Sequence, residues 1–125
     1  MNTVVASFDV RVARAYDPPE PTDGARVLVD RLWPRGLAKA TAALDDWCKQ
    51  IAPSHELRHW YAHDPDLFVQ FTAMYRTELE DAERAAALAE LREIARHRTI
   101  TLLTATKDLE ISHATVLAGV ISELD

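Results

Sequence analysis

The chain contains, at residues 26–36, the run Arg26-Val27-Leu28-Val29-Asp30-Arg31-Leu32-Trp33-Pro34-Arg35-Gly36. Its first half is apolar and rich in β-branched residues, which predicts a buried strand over roughly Arg26 to Leu32. Two unlike charges, Asp30 and Arg31, follow the apolar residues, and neighbours along a regular strand point to opposite faces. Open α/β sheets bind ligands at the carboxyl ends of their strands, so this end of the run is where we expect a ligand site.

A second buried strand is predicted over Thr99 to Ala105, and polar residues at 106–108 follow it. If the two strands are parallel, their carboxyl ends lie at one edge of the sheet, and the helical residues between them form a crossover. The sequence therefore predicts an α/β fold for a single domain over residues 1–125. We expect a small two-layer or three-layer sandwich, with a mainly parallel sheet and a helical crossover block between the two central strands.

The other elements follow from caps, turn residues and apolar periodicity. Alternation within Val4 to Ala13 predicts a first strand, and the prolines between Tyr16 and Gly24 predict a loop. Helical spacing predicts five helices, or four if the chain continues without a break near Asp81. They begin near Thr41 (inward residues Leu44, Trp47, Cys48, Ile51), Ser54 (Leu57, Trp60, Tyr61), Asp64-Pro65 (Phe68, Phe71, Met74, Tyr75, Leu79), Asp81 (Leu88, Leu91, Ile94) and Ser112 (Ala114, Leu117, Val120, Ile121, Leu124).

Composition excludes several classes of function. The formal net charge is -6, from 14 Lys+Arg against 20 Asp+Glu, which argues against broad binding of nucleic-acid phosphates. A local basic pocket for a small anion remains compatible with it. The single cysteine, Cys48, allows neither an internal disulfide nor a cysteine-based zinc site and is expected to be buried. Without a membrane-spanning run or a signal-peptide pattern, we expect a cytoplasmic protein with no membrane insertion.

Five residues are predicted to bind a ligand: Asp30, Arg31, Arg35, Gly36 and Lys107. The cations would neutralise an anion, and Gly36 would allow close approach of the backbone or a positive φ. Each has a purely structural alternative. A charge in a buried strand needs a partner, so Asp30 and Arg31 are equally well explained as members of a fixed ion-pair network, and a turn alone explains Gly36.

Three residues are predicted to move protons: Asp108, His113 and His63. A carboxylate that orients an imidazole is a recurring acid–base arrangement, and His113 follows Asp108 by five positions across a strand-to-helix turn. The structural alternative is that Asp108 caps the last helix and His113 fills its first turn. A metal would need a further ligand, which Asp30 or His63 could supply. The pair His55 and His59, which stands in an HExxH spacing at residues 55–59, is interpreted as an incidental surface pair, so we assign no metal.

The motifs DRLWPRG at residues 30–36, APS at 52–54, HDP at 63–65 and the final D…HA resemble the DUF488 family in its short, YeaO-like form. The resemblance covers the chain from about Asp23 to the last helix and implies an α/β fold, but no established reaction or substrate. It singles out Asp30, Arg31, Arg35, His63, Asp64, Asp108 and His113 as typical polar residues. The chain departs from the family at Thr104, often an aromatic residue, and at Ser112, often asparagine.

Two functional hypotheses follow. In the first, the protein is an enzyme or binding protein for a small phosphate-bearing anion, held at the strand ends, with His113 and Asp108 as an acid–base pair. In the second, it is a non-catalytic module that binds a small anion or a partner protein, and the motif residues are partly structural. The sequence assigns neither a cofactor nor an oligomeric state.

Overall fold

A computed structural model describes residues 9–123, and within them four parallel strands form one sheet. The strands are β1 (Val10–Arg14), β2 (Ala25–Leu28), β3 (Asp46–Trp47) and β4 (Ile100–Thr104). Their order across the sheet is β1-β4-β2-β3, so β2 and β4 are central and adjacent, with Val27 beside Leu102. The predicted α/β fold with a mainly parallel sheet is confirmed, and a largely helical block connects the two central strands.

Five α-helices accompany the sheet in the described part of the chain. They are α1 (Lys39–Ala42), α2 (His55–Tyr61), α3 (Phe68–Glu78), α4 (Ala82–His97) and α5 (His113–Ser122). The predicted caps Ser54 and Ser112 accept hydrogen bonds from backbone N–H groups at the starts of α2 and α5, and Asp64 caps the 3₁₀ turn that leads into α3. None of the helices in the range 9–123 has the length and apolar character needed to cross a membrane.

Side-chain alternation along β2 and β4 divides the core between the two faces of the sheet. Val27 and Leu102 point to one face, where they join the apolar residues of α2 to α5 in the main core. Leu28 and Leu103 point to the other face and form a smaller cluster. Partly buried side chains between residues 33 and 47, among them Trp33 and Trp47, cover that cluster, so the sheet is buried on both faces.

The helix predicted from Thr41 to Ile51 is wrong. The helix α1 ends at Ala43, which adopts a left-handed φ of 49°, and Asp46–Trp47 pairs with β2 as a parallel edge strand. The N–H of Cys48 then donates to the carbonyl of Leu28 at 2.8 Å. The apolar spacing fitted a helix, but backbone pairing along the open edge of β2 prevailed over local periodicity. Cys48 is buried, as expected.

The predicted strand boundaries also need correction. β2 ends at Leu28, and the last backbone bond of its pairing with β4 runs from the N–H of Val29 to the carbonyl of Leu103 at 3.0 Å. The run from Asp30 to Leu32 is therefore a loop. The first strand begins at Val10, and the residues predicted before position 9 lie outside the described part of the chain.

Most predicted inward-facing helical residues lie in the core or pack against it. Trp60 and Met74 are the corrections, since their residues are 41% and 44% exposed. Trp60 is followed by Tyr61 and Met74 by Tyr75, and in each helix the tyrosine is the residue that is buried. Leu124 lies outside the described residues.

A buried ion pair holds the amino-terminal side of the sheet. The Arg26 and Asp23 side chains are 6% and 12% exposed, and Arg26 Nη1 donates to Asp23 Oδ2 at 2.6 Å. The same guanidinium also donates to the carbonyls of Ala42, Ala43 and Asp17. One buried charge therefore ties the loop before β2 and the end of α1 to the central strand, with its donors satisfied.

Replacing Arg26 by methionine should lower the free energy of unfolding by about 3–5 kcal/mol, because Asp23 and several carbonyls would remain buried without their donor. Urea denaturation measures this loss. The matched control is Arg96→Met, which removes an exposed pair with Glu93 on α4 and should leave the protein near wild type. Equal effects of the two variants would contradict a structural role for the buried pair.

Candidate functional site

A cavity of about 730 Å³ opens at the carboxyl ends of β2 and β4. This volume is within the usual range of small-molecule sites. Seven of the eight residues predicted to bind or react line it: Asp30, Arg31, Arg35, His63, Lys107, Asp108 and His113. Gly36 does not line it, and its positive φ of 78° gives a turn as the reason for the glycine. Asp30 and Arg31, expected on opposite faces of a strand, both reach the cavity because they follow the strand in a loop.

The carboxylate of Asp30 joins the ends of the two central strands. Its Oδ2 accepts from the N–H of Ala105 at 2.8 Å, and its Oδ1 accepts from the hydroxyl of Thr104 at 2.7 Å. The side chain thus provides the acceptor that a further backbone carbonyl of β2 would have provided. This substitution explains why β2 stops where it does, and it fixes Asp30 at the inner wall of the cavity.

His113 is the first residue of α5, and its imidazole packs against the same strand end. Its Nε2 lies 3.0 Å from the carbonyl oxygen of Val29 and 3.4 Å from Asp30 Oδ1. Burial lowers the pKa of His113 from its ordinary value, against the opposing effects of the Asp30 charge and the Val29 carbonyl. The histidine is therefore oriented by β2 and is neutral near pH 7.

The carboxylate nearest the imidazole of His113 is that of Asp30, and the predicted pairing of His113 with Asp108 is not formed. Asp108 lines the cavity but is exposed, and within the described residues its carboxylate makes no hydrogen bond to the ring. It does not cap α5 either, because the hydroxyl of Ser112 accepts from the N–H of Thr115 there. A turn of 3₁₀ helix (Leu109–Ile111) stands between Asp108 and α5, so nearness in sequence does not bring the two side chains together.

Three aromatic side chains hold the loop of residues 30–37, here called the cavity loop, by its carbonyl oxygens. Trp47 Nε1 donates to the carbonyl of Asp30, Tyr16 Oη to that of Arg35, and Trp33 Nε1 to that of Leu37, each at 2.7 Å. Trp33 also packs edge to face on Trp47, with ring centroids 5.5 Å apart. Trp33 thus covers the sheet, and these hydrogen bonds hold the loop in place.

Most backbone donors of the cavity loop have no protein acceptor. Within residues 9–123, the N–H groups of Arg31, Leu32, Trp33, Arg35 and Gly36 make no hydrogen bond. The guanidinium groups of Arg31 and Arg35 likewise have no acceptor or carboxylate partner in that range. Lys107 also lines the cavity, and its ammonium group has no acceptor in the described residues. These groups are available to an anion from outside the chain.

The helix α2 and the turn after it form the opposite wall and include residues that sequence reasoning missed. Arg58 lines the cavity, and its Nε donates to the carbonyl of Pro53 at 3.2 Å. Tyr61, also at the wall, donates its hydroxyl to the carbonyl of Ile111 at 2.7 Å. Burial, and secondarily the charge of Asp108, raises the pKa of Tyr61. The sequence contained a signal for these residues. Arg58 and Tyr61 are three positions apart, so they share one face of a helix, and that helix follows the APS motif, whose Ala52 and Pro53 line the cavity.

His63 reaches the cavity through an unusual backbone turn. Ala62 and His63 both have left-handed φ angles, 47° and 56°, which residues with a Cβ rarely adopt. The N–H of Asp64 donates to the carbonyl of Tyr61 and closes this turn. The reversal of the chain after α2 therefore presents His63 to the cavity, while Asp64 acts as a cap.

The charge of the cavity is opposite to that of the chain. Four lining residues are cations (Arg31, Arg35, Arg58 and Lys107) and two are carboxylates (Asp30 and Asp108). The chain as a whole has a formal net charge of -6. The lining residues therefore have an excess of positive charge, in contrast to the chain as a whole.

Metal and thiol chemistry have little support in the described residues. No group of three or more histidine, cysteine or acidic side chains in the range 9–123 is arranged to hold a metal ion. His55 and His59 are stacked on the exposed face of α2, with ring centroids 6.1 Å apart. Burial raises the pKa of Cys48 to about 11, so its thiol is protonated and unreactive near pH 7.

Comparison with known proteins identifies the family. The family model described as the inactive DUF488-N3 subclade matches residues 9–124. The chain belongs to the DUF488 family. An uncharacterised protein of Mycobacterium tuberculosis is 49% identical to this DUF488 protein over 119 residues, covering 95% of this chain and 98% of the relative. The uncharacterised protein YeaO of Escherichia coli is 40% identical over 117 residues, covering 94% and 100%. No solved structure matches this DUF488 chain significantly.

Replacing Asp30 by asparagine should destabilise this DUF488 protein by about 1–3 kcal/mol, because the amide nitrogen, which is a donor, must then face one of the two donors that the carboxylate now accepts from. Urea denaturation tests this. Asp108→Asn makes the same chemical change at an exposed position of the cavity and should leave stability near wild type. Similar losses in both variants would contradict the role of Asp30 in joining the strands.

The stability of this DUF488 protein should decrease when the pH falls below about 6.5. An unfolded histidine has a pKa of about 6.5, and burial holds that of His113 lower, so the unfolded chain binds its proton first as pH falls. His113→Gln retains an N–H for the Val29 carbonyl but does not titrate, and it should lose this part of the pH dependence. Urea denaturation at about pH 7.5 and about pH 5 measures both proteins. Equal decreases in the two would contradict the prediction.

Proposed function

We propose that this protein binds a small phosphate-bearing anion in the cavity at the strand ends and does not transform it. The observation that carries the proposal is the reversed charge of the cavity, with four cations against two carboxylates in a chain of net charge -6. Partly enclosed walls strengthen the attraction between such cations and an anion, because the field is less screened there than at an open surface.

The state of the donors supports the same proposal. Arg31, Arg35 and Lys107 have no acceptor within the described residues, and the cavity loop adds N–H groups that are equally unpaired. The aromatic contacts to its carbonyls keep the loop in one conformation, so little ordering is needed when an anion arrives. A phosphate group has several acceptor oxygens and suits such a set of donors.

Two observations favour binding over catalysis. The acid–base pair that the sequence indicated is not formed, and His113 directs Nε2 at a backbone carbonyl and stays neutral. The matched family model is described as an inactive subclade. The predicted roles of His63, Asp108 and His113 in proton transfer therefore have less support than the predicted roles of Arg31, Arg35 and Lys107 in binding.

Isothermal titration with inorganic phosphate and with simple phosphate monoesters tests the proposal. Arg31→Gln, Arg35→Gln and Lys107→Gln should each weaken binding about tenfold or more, because a charge-assisted hydrogen bond contributes about 1.5–3 kcal/mol. The control is Arg96→Gln, which removes an exposed arginine of α4 that does not line the cavity and should bind like wild type.

Two results would overturn the proposal. Phosphate and its monoesters could fail to bind, or they could bind with affinities that Arg96→Gln reduces as much as the cavity variants do. Release of inorganic phosphate from a monoester by wild type, lost in His113→Gln, would restore the enzyme hypothesis.

A further inference from the structure

The hydrogen bond of His113 fixes which ring nitrogen carries the proton. A backbone carbonyl can only accept, so Nε2, which lies 3.0 Å from the Val29 oxygen, must be the nitrogen that donates. The buried ring is neutral near pH 7, and Nδ1 therefore has a lone pair and no hydrogen. No residue of the described range donates to Nδ1. His113 thus presents an unpaired acceptor at the wall of the cavity.

A second wall group has the same character. Tyr61 gives its hydroxyl hydrogen to the carbonyl of Ile111 at 2.7 Å, so towards the cavity its oxygen can only accept. Asp30 and Asp108 are carboxylates and also accept. The cavity consequently combines two chemistries: cationic and N–H donors on Arg31, Arg35 and Lys107, and acceptors around His113 and Tyr61.

Resting on the proposed function, we infer that the ligand is the phosphate monoester of a small hydroxylated compound, whose hydroxyl group donates to Nδ1 of His113. The phosphate faces the unpaired donors of the cavity loop, and the hydroxylated part extends towards the acceptors. A cavity of about 730 Å³ has room for this second part, since it corresponds to roughly 24 waters of about 30 Å³ each. A phosphate ion by itself leaves the acceptors of the wall unpaired.

Three probes separate the inference from the proposed function: inorganic phosphate, propyl phosphate and glycerol 3-phosphate. The two esters share the phosphate and a three-carbon chain, and differ in the hydroxyl groups. Titration of wild type should give glycerol 3-phosphate an affinity about tenfold higher than that of propyl phosphate, the effect expected of one hydrogen bond to an acceptor that no group of the described chain satisfies.

The His113→Gln variant tests the assignment to Nδ1. It keeps an amide N–H for the Val29 carbonyl and lacks the ring nitrogen, so the two esters should bind it with similar affinity. The readout is the ratio of the two affinities, because a general effect of the substitution on the cavity changes both. A preference for glycerol 3-phosphate that persists in His113→Gln would overturn the inference.

Nitrogen-15 NMR of the wild-type histidines gives a readout that needs no variant. The Nδ1 resonance of His113 should have the position of an unprotonated nitrogen, and glycerol 3-phosphate should shift it where propyl phosphate does not. A protonated Nδ1 would overturn the inference. Equal affinities for the two esters would overturn it while leaving the proposed function standing, and failure of all three probes to bind would overturn both.

Discussion

The structure depends on the carboxylate of Asp30 at the point where the two central strands separate. Its two oxygens accept from the hydroxyl of Thr104 and the N–H of Ala105, so β2 remains attached to the end of β4 after their backbone pairing stops. The same carboxylate lies 3.4 Å from Nε2 of His113, which links this strand end to α5. A single buried charge therefore positions the strand ends, the last helix and the inner wall of the cavity.

The two ends of the sheet use arginine in different ways. At the amino-terminal side, Arg26 is buried, paired with Asp23 and bonded to several carbonyls, so its charge serves the fold. At the carboxyl-terminal side, Arg31 and Arg35 have no such partners in the described chain. An unpaired guanidinium can remain there because the cavity is open to water, whereas a buried one without acceptors would be strongly destabilising. This contrast is one ground for the binding role proposed for Arg31 and Arg35.

Several features could be read directly from the residues. The β-branched runs around Val27 and Leu102 predicted the two central strands, and their polar ends predicted a shared edge, which the parallel pairing confirms. Caps such as Ser54 and Ser112 were also correct, because a cap requires only a side chain and the N–H groups of the next turn. The predicted pairing of Asp108 with His113 was wrong because it was inferred from their nearness in sequence. A turn of 3₁₀ helix lies between the two residues and keeps their side chains apart.

The amino-acid pattern alone was enough for the fold class, the order of most elements and the group of residues at the strand ends, since burial and periodicity are local properties of the chain. Folding in three dimensions was needed for the edge strand at Asp46–Trp47, the attachment of Asp30 to β4 and the partner of His113. Each of these depends on groups far apart in sequence that compete for the same donors and acceptors. That competition is settled by the packing of the whole sheet and its helices, so no local pattern could have revealed it.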